Sequence, residues 1–251
     1  MYNLPSPEPM SMYTVRMKAE ALFWDYVKEV GEDYILKNGL NFDDAYDSVI
    51  YPRYEIAMDR NIDLGVDDDG IEIFGQFLPH HNVALISRNL IVRNDPRLLF
   101  TTIHEVVGHG ILHGNYLRKT GKDYPHLYST RESIFMENAF EHQANTMAIN
   151  FVAPEGFVLA LYWKVFGTRR NINYTGPGRY SLCFNNKNWS VWANSPYHLA
   201  WLIAKKLKHY FWGLSTESLM YRVLKAVINC NGYNNRNFSS SRKIDSIGDL
   251  L

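Results

Sequence analysis

The sequence predicts an α+β fold, mainly helical with a small β-sheet or hairpin, and three observations carry that expectation. Apolar residues recur at helical spacing through most of the chain. Two strand-like segments, IEIFGQF (71–77) and NVALISR (82–88), stand together with only LPHH between them. The helical stretches are punctuated by Asn38-Gly39, Asn94-Asp95-Pro96 and Pro154, residue types that start or stop helices. At 251 residues, 46% hydrophobic and 14% aromatic, the chain has ample material for a packed core.

Residues 1–11 are proline-bearing and expected to be loose. From Tyr13 to Lys37 the residues Ala21, Leu22, Trp24, Tyr26, Val27, Val30, Tyr34 and Ile35 follow a helical period, and Asn38-Gly39 ends that amphipathic helix. A polar, aspartate-rich stretch follows, with DLGVDDDG (63–70) as its sharpest turn. It lacks the ligand spacing and terminal Glu of a calcium-binding EF-hand loop and reads as a solvated turn. The two strand-like segments then form a hairpin, with His80 and His81 as surface residues on its turn. Asp95 is placed as an N-cap with Pro96 at the first helical position.

Further on, a loop (114–128) leads to Ser129-Thr130-Arg131-Glu132, a capping-box pattern opening a long helix that stops at Pro154. A second apolar helix spans 155–166. Residues 167–196 read mostly as loop with one short hairpin, its aromatics Tyr180, Trp189 and Trp192 serving as core or as substrate contact. Two apolar-periodic segments follow over 197–229, and a polar, frayed tail runs from Asn231.

Lysine plus arginine equals aspartate plus glutamate, 26 of each, so the chain as a whole has no general attraction for nucleic acid or an anionic membrane. Cys183 and Cys230 form neither a C-x-x-C pair nor a disulfide framework, so a reducing cytoplasm is the expected compartment. The N-terminus lacks the pattern of a signal peptide, and FVLALYWKVF (157–166) is too short to span a bilayer; no membrane segment is expected.

The chemistry concentrates in TTIHEVVGHGILHG (101–114), three histidines and one glutamate among apolar and glycine residues. In H-E-x-x-H zinc sites an α-helix puts both histidines on one face, with the glutamate reaching the water. Here His104 and His109 are five positions apart, about 140° around a regular α-helix. Three readings follow. The helix widens by one residue at Val106-Val107-Gly108, a π-bulge that turns His104 and His109 the same way. Or His109 and His113, at i and i+4, are the ligands, with Glu105 behind them. Or the histidines are simply packed. The first is favoured because it alone keeps a glutamate placed as base. Zinc dipeptidyl peptidases of the H-E-x-x-G-H type look similar at residues 104–109, which implies that the wider spacing can serve zinc.

A third ligand must come from another element, and EHQANTMAINFVAP (141–154) supplies candidates. This segment resembles the E-x-[EQ]-A-[ND]-x-F-A-x-x-L-L-x-P signature of the ImmA/IrrE metallopeptidases through Glu141, Gln143, Ala144, Asn145, Ala148 and Pro154. Phe74-Gly75 and Val83–Ile86 look like that family's hairpin, and Leu99–Glu105 is similar to its approach to the active helix. Residues 203–224 look like its later helical segment. The resemblance covers roughly residues 70–228 and departs from the family in the extra residue between Glu105 and His109.

The resemblance implies a zincin-like metallopeptidase domain over 12–196 and a C-terminal helical, helix-turn-helix-like subdomain over 197–230. It further implies Zn²⁺ held by His104, His109 and Glu141, with Glu105 as general base. His142 sits beside Glu141 as a substrate contact or an exposed residue, and Tyr116 or His113 as an oxyanion partner. The implied activity is intracellular endopeptidase action on a helix-turn-helix transcriptional repressor. The alternative is a catalytically inactive relative that binds a repressor or DNA. LAWLIAKKLKHYF and STESLMYRVLKAVI, joined at Trp212-Gly213-Leu214, have a helix-turn-helix outline with a local positive bias from Lys205, Lys206, Lys208, Arg222 and Lys225.

Overall fold

The computed structural model describes residues 10–120, 131–167, 172–176, 178–184, 187–211 and 213–229. Residues 1–9 of the loose segment expected at 1–11, the loop from 121, the Ser129-Thr130 end of the capping box, Trp212, Cys230 and the tail lie outside the described residues. The chain forms two compact units, Met1–Gly31 with Leu40–Val152, and Glu32–Gly39 with Ala153–Leu251. Helices dominate and each unit holds one three-stranded sheet, an α+β composition.

The expected first helix is two. Helix α1 (Met12–Val30) starts on Ser11, whose hydroxyl accepts from the Thr14 amide, and stops at Gly31 with φ 91°. Helix α2 (Glu32–Asn38) belongs to the other unit. Its end at Gly39 sits at φ 76°, and a Cβ there would lie 2.2 Å from the Tyr210 carbonyl oxygen. The periodicity of 13–37 is real, but Gly31 ends the first helix within it. The polar stretch after it is more structured than expected: α3 (Phe42–Ala45), a π-helical turn Tyr46–Ile50, α4 (Tyr51–Tyr54) and strand β1 (Ala57–Ile62). The sequence hid β1 because AMDRNI is short and polar and no residue in it is fully buried.

The expected hairpin is present as β2 (Gly75–Leu78) and β3 (Val83–Ser87), antiparallel. β3 is the central strand: β1 pairs with its other edge in parallel, giving the order β1-β3-β2. Four of the five β3 residues are buried, as a strand covered on both faces requires. Asn82 fixes the turn, with φ 52° and its amide donating to the Tyr54 and Glu55 carbonyls. His80 and His81 are exposed there.

Helix α5 (Arg88–Val92) precedes α6 (Leu98–Ile103), which begins two residues later than the Asp95-Pro96 signal. The Asp95 carboxylate instead closes a turn by accepting from the Arg97 amide at 2.9 Å. α6 runs without a break into a π-helical segment, His104–His113, and on into α7 (Gly114–Thr120). The loop expected from 114 is therefore helix as far as Thr120. Helix α8 (Arg131–Val152) packs on the π segment and on α1. The core of this unit includes Phe23, Tyr26, Ile50, Phe77, Phe140 and Phe151.

In the second unit, Pro154 caps α9 (Glu155–Phe166), as read from the sequence. The region 167–196 is an antiparallel meander, β4 (Asn173–Gly176), β5 (Arg179–Phe184) and β6 (Lys187–Trp192), more ordered than the loop expected. Helices α10 (Pro196–Leu207) and α11 (Thr216–Val223) follow, the latter continued by a π turn Leu224–Asn229. Buried Arg222 donates from Nε to the Ala153 carbonyl at 2.8 Å, and Lys225 pairs with Glu155, which ties α11 to the start of α9. The stretch Ala139–Phe166 is long and apolar enough to cross a membrane by length and composition, but 61% of its most apolar window is buried within the fold.

Because Gly39 combines a left-handed backbone with direct contact on a main-chain oxygen, Gly39→Ala is expected to destabilise the chain by about 2 kcal/mol or more. Thermal unfolding of the variant measures that loss.

Candidate metal centre

The geometry begins with the backbone. An α-helix bonds i to i+4, a π-helix i to i+5, so residues five apart stand one turn above each other only in the second. The π conformation spans all ten residues from His104 to His113, wider than a bulge at 106–108. The rings of His104 and His109 are therefore adjacent, with centroids 4.7 Å apart and Nε2 atoms 3.0 Å apart.

Two glycines let other elements close on this segment. A Cβ on Gly108 would lie 2.8 Å from Ala144 Cβ and 2.9 Å from the Ala144 carbonyl oxygen, so the π segment and α8 touch backbone to backbone. That approach brings Glu141, one turn before Ala144, over the two imidazoles. Its Oε2 is 3.2 Å from His104 Nε2 and its Oε1 is 3.1 Å from His109 Nε2. The carboxylate bridges the pair from the solvent side, with 38% of its side chain exposed.

The remaining ring nitrogens explain why these atoms face one another. His104 Nδ1 lies 3.2 Å from Asn145 Oδ1 and donates to it, which leaves the Nε2 lone pair pointing inward. His113 Nε2 donates to Gln143 Oε1 at 3.1 Å, so its Nδ1 accepts from His109 Nδ1 at 3.3 Å. His109 Nε2 is then turned toward His104 Nε2 and the Glu141 carboxylate. Burial and the neighbouring His109 push the His113 pKa down to about 3, against the hydrogen bond to Gln143, which keeps this relay neutral. Two nitrogen lone pairs and a carboxylate thus converge within 3.0–3.2 Å of one another. Such a cluster repels itself unless positive charge sits among its atoms.

The electrostatics point the same way. Burial opposes protonation of His104, yet the hydrogen bond to Glu141 and the charges of Glu105 and Glu141 outweigh it and raise its pKa. Glu105 is buried, with its Oε1 4.0 Å from His104 Nε2. Burial raises its carboxyl above the ordinary range, against the lowering effect of His109 and His104. Gly75 on β2 permits that placement: a Cβ there would lie 2.7 Å from Glu105 Cγ and 3.0 Å from its Oε1.

His104, Glu105 and His109 present ligand atoms within 4.8 Å of one another, a group able to hold a metal ion. Ligand atoms bound to one tetrahedral zinc at roughly 2.0–2.1 Å lie about 3.3 Å apart. The triangle formed by His104, His109 and Glu141 has nearly those edges, and each histidine already donates its second nitrogen as metal-ligating histidines do. The donor set therefore fits a divalent ion. His113 joins the cluster through His109, not through the triangle. His142 is exposed, and Tyr116 stands beside Phe140, ring centroids 5.6 Å apart. The sequence reading assigned no role to Gln143, Asn145 or Gly75; the i, i+4 spacing of Glu141 and Asn145 was the available signal for one of them.

Comparison with protein-family models, with curated proteins and with solved structures returns no match for this chain.

Gly108→Ala should push α8 off the π segment, lowering stability by about 1–3 kcal/mol and weakening metal uptake; unfolding and metal titrations read both. Gln143→Leu should leave the fold in place and weaken metal binding by roughly 10–100-fold, because His113 loses the acceptor that fixes its tautomer. Metal competes with a proton on His104, whose pKa is raised, so affinity should decline as pH falls, beginning above the ordinary value of 6.5. Metal titration across that range follows the decline.

Proposed function

We propose that this chain is a zinc-dependent endopeptidase, with His104, His109 and Glu141 holding the ion and Glu105 acting as general base. The single observation that carries the reading is the convergence of three ligand groups beside a separate, buried carboxyl. A set of two histidines and one glutamate is a known catalytic zinc arrangement that leaves a coordination position open. When bound, zinc lowers the pKa of water toward ~7 and polarises a peptide carbonyl.

The chain's own residues account for the rest. Glu105, raised by burial and held between β2 and the π segment, takes a proton from the attacking water and returns it to the departing amine. Asn145, and Gln143 through His113, hold the two imidazoles in the tautomer that binds. β2, an edge strand with Gly75 against Glu105, offers main-chain groups along which an extended peptide can lie.

The likeness of residues 141–154 and 101–109 to ImmA/IrrE metallopeptidases supports this reading and suggests the substrate, a helix-turn-helix repressor. A bound metal with no turnover would favour the alternative, a regulatory module that binds its partner without cutting it.

The Glu105→Gln variant is expected to bind one equivalent of zinc like the parent and to lose peptide hydrolysis by at least about 100-fold. His109→Ala should lose both. Metal analysis of the purified variants and cleavage of a repressor substrate measure the two properties separately. Hydrolysis that persists in Glu105→Gln removes Glu105 from the chemistry.

A further inference from the structure

The neutral net charge of the chain conceals a division. The unit with the metal centre carries 20 acidic and 12 basic residues, and the other carries 6 and 14. Within the second unit the bias is steepest over 167–229, where nine lysines and arginines meet a single acidic residue, Glu217. Some of that charge is used internally: Arg222 and Lys225 engage Glu155, and Lys206 lies over the Phe184 ring at 4.8 Å.

Lys208 donates to the Phe211 and Leu214 carbonyls, while Lys205 and Arg179 stand beside an aromatic face. Tyr197, Trp201 and Lys205 follow one another at i, i+4 and i+8, a single stripe along α10. Lys205 Nζ stands 4.4 Å from the Trp201 ring centroid. The His198 ring links Trp201, at 6.1 Å, to Trp192 on β6, at 5.9 Å. Trp192 is paired across the strands with exposed Arg179. On the other side Tyr221 of α11 lies 6.4 Å from Tyr197.

These rings are open to solvent: Trp192 59%, Tyr197 54%, Tyr221 53% and Trp201 37%. Among the described residues of this unit they are also the only large hydrophobic side chains so exposed, and none is aliphatic. A membrane-inserting face would set leucine or other aliphatic side chains beside its tryptophans. A face of tryptophan and tyrosine interleaved with lysine, arginine and histidine suits a ligand with flat rings and a regular negative charge.

We propose that the face built by β6, α10 and α11 binds single-stranded nucleic acid, with bases stacking on Tyr197, Trp201 and Trp192 and phosphates meeting Lys205 and Arg179. This mode differs from a recognition helix in a duplex groove, because stacking needs unpaired bases. It also stands independently of the metal centre, whose residues all lie in the other unit.

The test titrates the full chain with oligothymidylate about 20 nucleotides long, following tryptophan fluorescence at several salt concentrations. The expected result is quenching, with an affinity that falls steeply with salt and exceeds that for a duplex of equal length. Tyr197→Ala and Trp201→Ala should each weaken binding about tenfold. Lys205→Glu should weaken it and lower the salt dependence, by about 0.7 in the logarithmic slope for each phosphate no longer engaged. Circular dichroism and thermal unfolding of the same variants serve as the check that the chain is folded. Three results would overturn the proposal: no quenching by the oligonucleotide, equal or tighter binding of duplex, or unchanged affinity in both ring variants. Binding to phosphatidylserine vesicles without binding to oligothymidylate would likewise replace it with a membrane face.

Discussion

The first unit is organised around a repulsion. His104 Nε2, His109 Nε2 and the Glu141 carboxylate are held within 3.0–3.2 Å of one another with their lone pairs turned inward. Acceptors at such distances oppose each other until a proton, as on His104 whose pKa is raised, or a metal cation lies between them. Asn145 and the relay from Gln143 through His113 consume the outward N–H groups of the imidazoles. The tautomer that aims both lone pairs at one point is thereby built in before any ion arrives. The ten-residue π segment and the backbone contact at Gly108 serve the same end, because each brings ligands together that a regular α-helix would keep apart.

Around that cluster the fold separates two kinds of carboxylate by burial alone. Glu141 reaches in from α8 and remains open to solvent, where a charged group is well hydrated. Glu105 is enclosed beneath β2, and burial raises its pKa. The second unit has a different electrostatic character, basic and faced with exposed aromatic rings. A chain that is neutral in sum thus divides into an acidic and a basic unit.

Parts of this were legible in the residues. Pro154 marked the boundary between α8 and α9, the pair 71–77 and 82–88 marked β2 and β3, and the five-residue spacing of His104 and His109 demanded a wider helical turn. Other parts were not. β1 is a polar, half-exposed strand whose pairing with β3 is parallel and non-local, so no local pattern announces it. The meander β4–β6 lies in a stretch rich in asparagine and glycine that reads as loop, because cross-strand pairs such as Arg179 with Trp192 are made only in the folded state. The extent of the π segment depends on Gly108 meeting Ala144, a tertiary contact. The positive bias of the last helices was legible in the sequence, but whole-chain neutrality hid the acidic excess of the first unit, since averaging over 251 residues cancels two opposite local excesses.

X-ray absorption spectroscopy of the zinc-loaded chain tests the central claim most directly. The account predicts one tightly held zinc per chain, bound by two imidazole nitrogens and by oxygen, with nitrogen and oxygen distances near 2.0–2.1 Å as roughly expected for such ligands. A chain that takes up no stoichiometric zinc, or holds it with fewer than two imidazoles, would contradict it.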